Sequence, residues 1–287
     1  MRIIVAVLVG LIALPLLAQP SLIEQGRAAM ARNDADAAAT ILEKAVAQSP
    51  KSAEAHYLLG SAYGSQAQKG SILGQASLAS KTKDEFERAV ELDPNYNEAR
   101  FALVQYYVMA PGFMGGSYDK AFAQTAEIKK RDPLMAHRSA AFIYAHQKKT
   151  GEAKKEYFAE VQEFPKSARA HYDLGLFHVS EKNYKAAFDE YQNALKLDAS
   201  FMQAYFRIGQ LSVQSSADYA RGEEALRKYL GYTPKSDEPP HARAHYWLGQ
   251  IFEKQGKKAE AKASFAASLK LNPNQKDVAE ALKRVSA

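Results

Sequence analysis

Ala53-Glu-Ala-His-Tyr-Leu-Leu-Gly60, Ala168-Arg-Ala-His-Tyr-Asp-Leu-Gly175 and Ala242-Arg-Ala-His-Tyr-Trp-Leu-Gly249 are one eight-residue phrase written three times. Each copy is followed by a polar turn and then by an Ala-x-x-x-large stretch, as in Ala187/Tyr191 and Ala261/Phe265. Within the phrase, apolar or small residues recur at helical spacing, as in His171, Leu174, Gly175 and His178, so the first segment reads as a helix with one packed face. The glycine of that face admits a neighbouring helix at close range. Pro50, Pro94, Pro133, Pro165, Pro234 and Pro273 mark the ends of the second segments, because proline cannot continue the helical ladder.

Extended outward, the phrase predicts seven units beginning near residues 19, 53, 97, 134, 168, 202 and 242, three of the spacings being 34 residues. The small residue recurs as Gly26, Gly60, Ala141, Gly175, Gly209 and Gly249, with Val104 as the exception. A helix–turn–helix of 34 residues resembles the tetratricopeptide repeat. The resemblance covers 19–287 and implies an all-α, right-handed α-solenoid closed by a polar-backed cap over 275–287. The loop before Asp119-Lys120-Ala121 resembles that of exported bacterial members of this family. It is similar, more weakly, to a periplasmic repeat component that accompanies some transporters.

The 287 residues are 47% hydrophobic and contain no cysteine, which excludes disulfides, thiolate metal sites, cysteine nucleophiles and lipid attachment through cysteine. Net charge is +6 from 38 basic and 32 acidic residues, with no block of five or six like charges, so a nucleic-acid stripe is not expected. Residues 1–18, MRIIVAVLVGLIALPLLA, read as a secretory signal peptide: an Arg, an apolar run from Ile3 to Leu17, and Ala18 at the exit. The run is shorter than the roughly 20 residues of a spanning helix and is broken by Pro15. The expectation is an exported chain, periplasmic or else secreted, with no stable membrane insertion after cleavage at Ala18; retention as an anchor is the alternative.

No catalytic motif is present, and no cofactor or metal is expected. His56, His137, His171 and His245 share one repeat position, which points to helix packing. His241 and His245 lie four apart but lack the Glu of His-Glu-x-x-His. Unit two is ten residues long over the repeat, within 64–80. Unit three carries an inserted loop, 110–117, whose Phe113 and Met114 are expected to pack on the unit-two insertion and form a second contact surface. Thr233–His241 reads as a spacer.

The resemblance also implies that first helices line a concave face. One groove position holds Ile23, Tyr57, Phe101, Arg138, Tyr172, Phe206 and Tyr246. Another, four residues on, holds Arg27, Ser61, Gln105, Phe142, Leu176, Gln210 and Gln250. Arg169, Gln203, Gln214 and Arg243 lie beside them. Aromatics offer contact area at low entropic cost, amides bond a peptide backbone, and arginines grip carboxylates in pairs of bonds. The expected site is therefore Tyr57, Phe101, Gln105, Arg138, Arg169, Tyr172, Phe206, Gln210, Arg243, Tyr246 and Gln250. Its expected ligand is a segment of a protein partner, and the expected role is a non-catalytic scaffold. A transport accessory and a cell-wall glycan binder are the alternatives.

Overall fold

A computed structural model describes residues 20–68, 72–235 and 238–286; the signal-peptide reading of 1–18 falls outside them. The described residues form antiparallel helical hairpins in succession. They are α1 (Leu22–Ala31) with α2 (Ala35–Gln48), α3 (Ala53–Ala67) with α4 (Ile72–Leu92), and α5 (Asn97–Met109) with α6 (Tyr118–Lys129). Next come α7 (Pro133–His146) with α8 (Thr150–Glu163), α9 (Ala168–Ser180) with α10 (Tyr184–Leu197), α11 (Met202–Ser215) with α12 (Tyr219–Leu230), and α13 (His241–Lys254) with α14 (Lys258–Leu271). A last helix, α15 (Lys276–Ser286), covers the end of the stack with Val278, Ala281 and Val285 buried.

Local sequence sets the helix starts. Ser21 and Glu24 form a reciprocal capping box, and Ser52, Ser117, Asp132 and Ser167 each accept a backbone N–H of the turn they open. Such caps satisfy donors that have no partner within the helix. The first helices approach one another closely, α1 with α3, α5 with α7 and α11 with α13, whereas no pair of second helices packs to that extent. Crowding on one side and splaying on the other bends the stack, so the first helices line the inner face.

Five of the seven described hairpins close on a glycine notch. A large side chain of the second helix sits directly over the small residue of the first: Leu42 over Gly26, Phe86 over Gly60, Tyr191 over Gly175, Leu226 over Gly209 and Phe265 over Gly249. A methyl group added at Gly175 would lie 2.5 Å from the Tyr191 ring, and at Gly249 2.5 Å from Phe265. Tyr191, Leu226 and Phe265 are fully buried there.

The shared histidine position does pack, and it does more. His56 Nδ1 lies 2.5 Å from Glu85 of α4 and its Nε2 3.1 Å from the Pro50 carbonyl. His171 repeats this with Glu190 at 2.6 Å and the Pro165 carbonyl at 3.3 Å. In the third hairpin Arg100 takes the same role, donating to the Pro94 carbonyl at 3.0 Å and to Gln124 at 2.7 Å. His137 instead meets two carboxylates, Glu156 and Glu163. One side chain thus ties the turn before a hairpin to its second helix.

The three departures from the repeat resolve differently. Of the unit-two excess, 64–67 lie in α3 and 72–80 open α4, which runs to 21 residues. The unit-three loop makes one 3₁₀ turn, Gly112–Met114, fixed by Gly116 N–H to Pro111 O and Ser117 N–H to Tyr107 O. Gly115 adopts φ 91°, and at Gly116 a Cβ would collide with the Ala110 carbonyl. The expectation that Phe113 packs on the unit-two insertion is overturned: Phe113 is 89% exposed. Met114 is half-buried, and its carbonyl accepts from Tyr106 Oη at 2.9 Å. The Thr233–His241 connector is fastened rather than slack: Tyr229 Oη donates to Pro239 O at 2.6 Å, and the His241 ring N–H to Tyr232 O at 2.6 Å.

The notch predicts a paired outcome. Gly175→Ala forces Tyr191 to move and lowers stability by about 1–3 kcal/mol, despite alanine's better helix propensity. Gly151→Ala in α8 meets nothing within 4 Å and is expected to raise stability by roughly 0.5–1 kcal/mol. Urea unfolding of both variants checks the opposite signs.

Candidate functional site: the inner face

The inner face runs from a hollow at the N-terminal end to Arg243 of α13. The hollow, about 540 Å³, lies among Arg27, Met30, Tyr57, Leu58, Ser61 and Tyr96. Tyr57 and Tyr96 meet edge-on with centroids 5.1 Å apart, and Arg27 pairs with Glu54. Burial pushes the Tyr96 phenol well above the ordinary tyrosine range, so it stays protonated there.

The middle of the face carries most of the charge. Arg138 of α7 and Arg169 of α9 converge on a single carboxylate, Asp173, at 2.9 and 2.8 Å. Arg138 also covers the Phe101 ring at 5.4 Å, and Arg169 covers Tyr172 at 5.4 Å. Arg207 of α11 donates to Tyr172 Oη at 3.2 Å and to Gln210 at 2.7 Å. Behind this group sits Glu160 of α8, fully buried, with no hydrogen-bond partner for either carboxylate oxygen. Burial, reinforced by the charge of Asp173, pushes its carboxyl up to about 9. A neutral Glu160 leaves Asp173 to balance Arg138 and Arg169 alone.

The expected site residues do not behave alike. Gln105 is exposed, while Tyr57, Phe101, Arg138, Arg169, Gln210, Arg243, Tyr246 and Gln250 are partly exposed on first helices. Arg243 covers Tyr246 at 4.5 Å, pairs with Asp277 of α15 at 2.8 Å and so joins the cap to the face. Gln250 donates to Glu253 at 3.4 Å. Tyr172 and Phe206, in contrast, are 5% and 4% exposed. The expectation that they face a ligand is corrected: Phe201 and Tyr191 enclose Tyr172, and Tyr229 encloses Phe206. Sequence reasoning missed Asp173, Arg207 and Glu160. The first was legible as the i+4 partner of Arg169; Arg207 follows an aromatic groove position directly; Glu160 lies on a second helix and gave no signal.

Among the described residues, no three His, Asp or Glu side chains are grouped to hold a metal ion. No described helix is long and apolar enough to cross a membrane.

Glu160 predicts a pH effect. Its folded value, about 9, lies above the ordinary 4.5, so its contribution is fully present below about pH 4.5 and is lost as pH rises toward 9. The slope is at most about 1.4 kcal/mol per pH unit. Glu160→Gln is therefore expected to be more stable than wild type at pH 8, with the gap shrinking as pH falls to 5. Thermal melts of both proteins across that range check it; a gap independent of pH refutes the role of titration.

Comparisons with known proteins follow this geometry. Tetratricopeptide repeat models match residues 242–275 and residues 23–66 and 144–203. The type IV pilus assembly protein PilF of Pseudomonas aeruginosa is 32% identical over 115 residues, 40% of this chain and 44% of that protein. Human protein O-mannosyl-transferase TMTC3 is 25% identical over 214 residues, 72% of this chain and 22% of that protein. The chain thus spans less than half the length of either relative. Among solved structures, a tetratricopeptide repeat protein from Parabacteroides merdae aligns with TM-score 0.51 and 16% identity over 93% of this chain and 98% of its own. Yeast Tom70 aligns with TM-score 0.58 and 14% identity, over 89% and 58%. These likenesses concern the fold. The repeated hairpins, their glycine notches and the matching models together assign the chain to the tetratricopeptide repeat family, as an α-solenoid.

Proposed function

We propose that this protein is an exported, non-catalytic scaffold that holds a segment of a partner protein against its inner face. The observation that carries the reading is the middle of that face, where Arg138 and Arg169 share one carboxylate and Arg207 stands beside them. A fixed row of guanidinium groups on a rigid stack is pre-organised to bind, because little side-chain freedom is lost on contact. The family match supports protein binding as the general role, and the likeness of part of the chain to a pilus assembly protein supports work on an envelope structure. Export rests on the reading of residues 1–18, and the proposed compartment is the periplasm.

Two measurements test this. A photocrosslinking residue at Gln105, which is exposed on the inner helix α5, is expected to capture a discrete partner in vivo; one at Lys196, exposed on the second helix α10, is not. Equal labelling at both positions removes the inner face as the binding surface. N-terminal sequencing of the protein from a periplasmic fraction is expected to begin at Gln19. An intact start at Met1 in the membrane fraction overturns the proposed free periplasmic form.

A further inference from the structure

The inner face is not uniform across its width. In α7, α9 and α11 the arginines Arg138, Arg169 and Arg207 fall in the first half of the helix, and positions four to seven residues further on lie roughly 6–10 Å away along the axis. In the middle of the stack the near row is Arg138, Arg169 and Arg207, countered by Asp173. The far row over α5, α7 and α9 is Met109, Phe142 and Leu176. Met109 is 67% exposed, and Phe142 and Leu176 are only partly buried. The Phe142 ring meets His146 at a tilt of 54° with centroids 4.5 Å apart. A basic stripe therefore runs beside an apolar stripe, both crossing successive helices.

Exposed apolar surface on a rigid helix is unfavourable unless covered, and the excess of guanidinium groups beside it favours a carboxylate-bearing cover. An extended strand cannot serve both stripes well, because its side chains point to opposite faces. An α-helix can, since its stripes lie on one cylinder roughly 10 Å across. The four first helices α5, α7, α9 and α11, at about 9 Å spacing, span about 27 Å between the outer axes, the length of roughly 18 helical residues. We propose that the inner face over α5 to α11 receives an acidic amphipathic helix, laid across the first helices with its carboxylates on Arg138, Arg169 and Arg207 and its apolar stripe on Met109, Phe142 and Leu176. The inference rests on the inner-face reading above and adds the chemical class and the conformation of what binds. The neutral state of the buried Glu160 keeps the arginine row from being fully balanced from within.

The test uses the full chain and three synthetic helical peptides of roughly 18 residues, read by fluorescence anisotropy. The first carries a Glu stripe beside a Leu stripe, the second permutes the same residues so that neither stripe persists, and the third replaces Glu by Lys. The first is expected to bind at least about tenfold more tightly than either other peptide, with affinity falling as salt rises. Arg207→Gln is expected to weaken it about tenfold and flatten the salt dependence, while Met109→Ser weakens it with the salt dependence unchanged. Both side chains are at least partly exposed, so circular dichroism should report folded variants. Equal binding of the striped and permuted peptides, or full affinity in both variants, overturns the proposal. So does absence of binding by any peptide; in that case a crosslink from Gln105 would still sustain the inner-face reading and require a ligand of another shape.

Discussion

The molecule depends on one contact made again and again: a bulky side chain of the second helix seated on a residue with no side chain to speak of on the first. Leu42, Phe86, Tyr191, Leu226 and Phe265 each lie over a glycine. The contact brings two backbones within reach of each other, and every other packing relation in the hairpin follows from that spacing. Because interiors are close-packed, adding a single methyl at the notch is resisted by the whole hairpin. Stability then accumulates hairpin by hairpin, each burying its apolar face on the next.

That same spacing makes the inner face. Three pairs of first helices, α1 with α3, α5 with α7 and α11 with α13, pack more closely than any pair of second helices, and the difference in crowding turns a row of helices into a curved surface. Curvature gathers side chains from separate hairpins into one place: Arg138, Arg169 and Arg207 come from three successive first helices, with Asp173 among them. A fully buried carboxyl behind them, Glu160, is a local cost, since buried charges without partners are avoided. It is tolerated by remaining uncharged.

The fold was legible because its determinants are local and periodic. The Leu-Gly pair, the Ala-x-x-x-large stretch and the terminal prolines each report a helix contact or a helix end within about 34 residues. The site was legible only in part. Tyr57, Tyr172, Phe206 and Tyr246 occupy one repeat position, yet Tyr172 and Phe206 are buried while Tyr57 and Tyr246 are only partly so. Phe201 and Tyr191 flank Tyr172 and Tyr229 flanks Phe206, whereas Tyr57, with Tyr96 and Phe86 beside it, still borders the N-terminal hollow. Position within the repeat tells which way a side chain points, not what lies above it. Phe113 shows the same limit: its apolar character suggested a packed loop, yet the 3₁₀ turn that carries it leaves it exposed.

The tie between turn and hairpin has a consequence for how such a chain comes to be folded. His56 reaches the Pro50 carbonyl, Arg100 that of Pro94 and His171 that of Pro165, each only six residues back. A ring that small closes without a search through the rest of the chain. Each joint can therefore set its angle as soon as its own residues exist, before the following hairpin has been made. The result is a protein suited to assembly from one end while the other is still being synthesised or threaded, with low contact order at every stage and no long-range register to find.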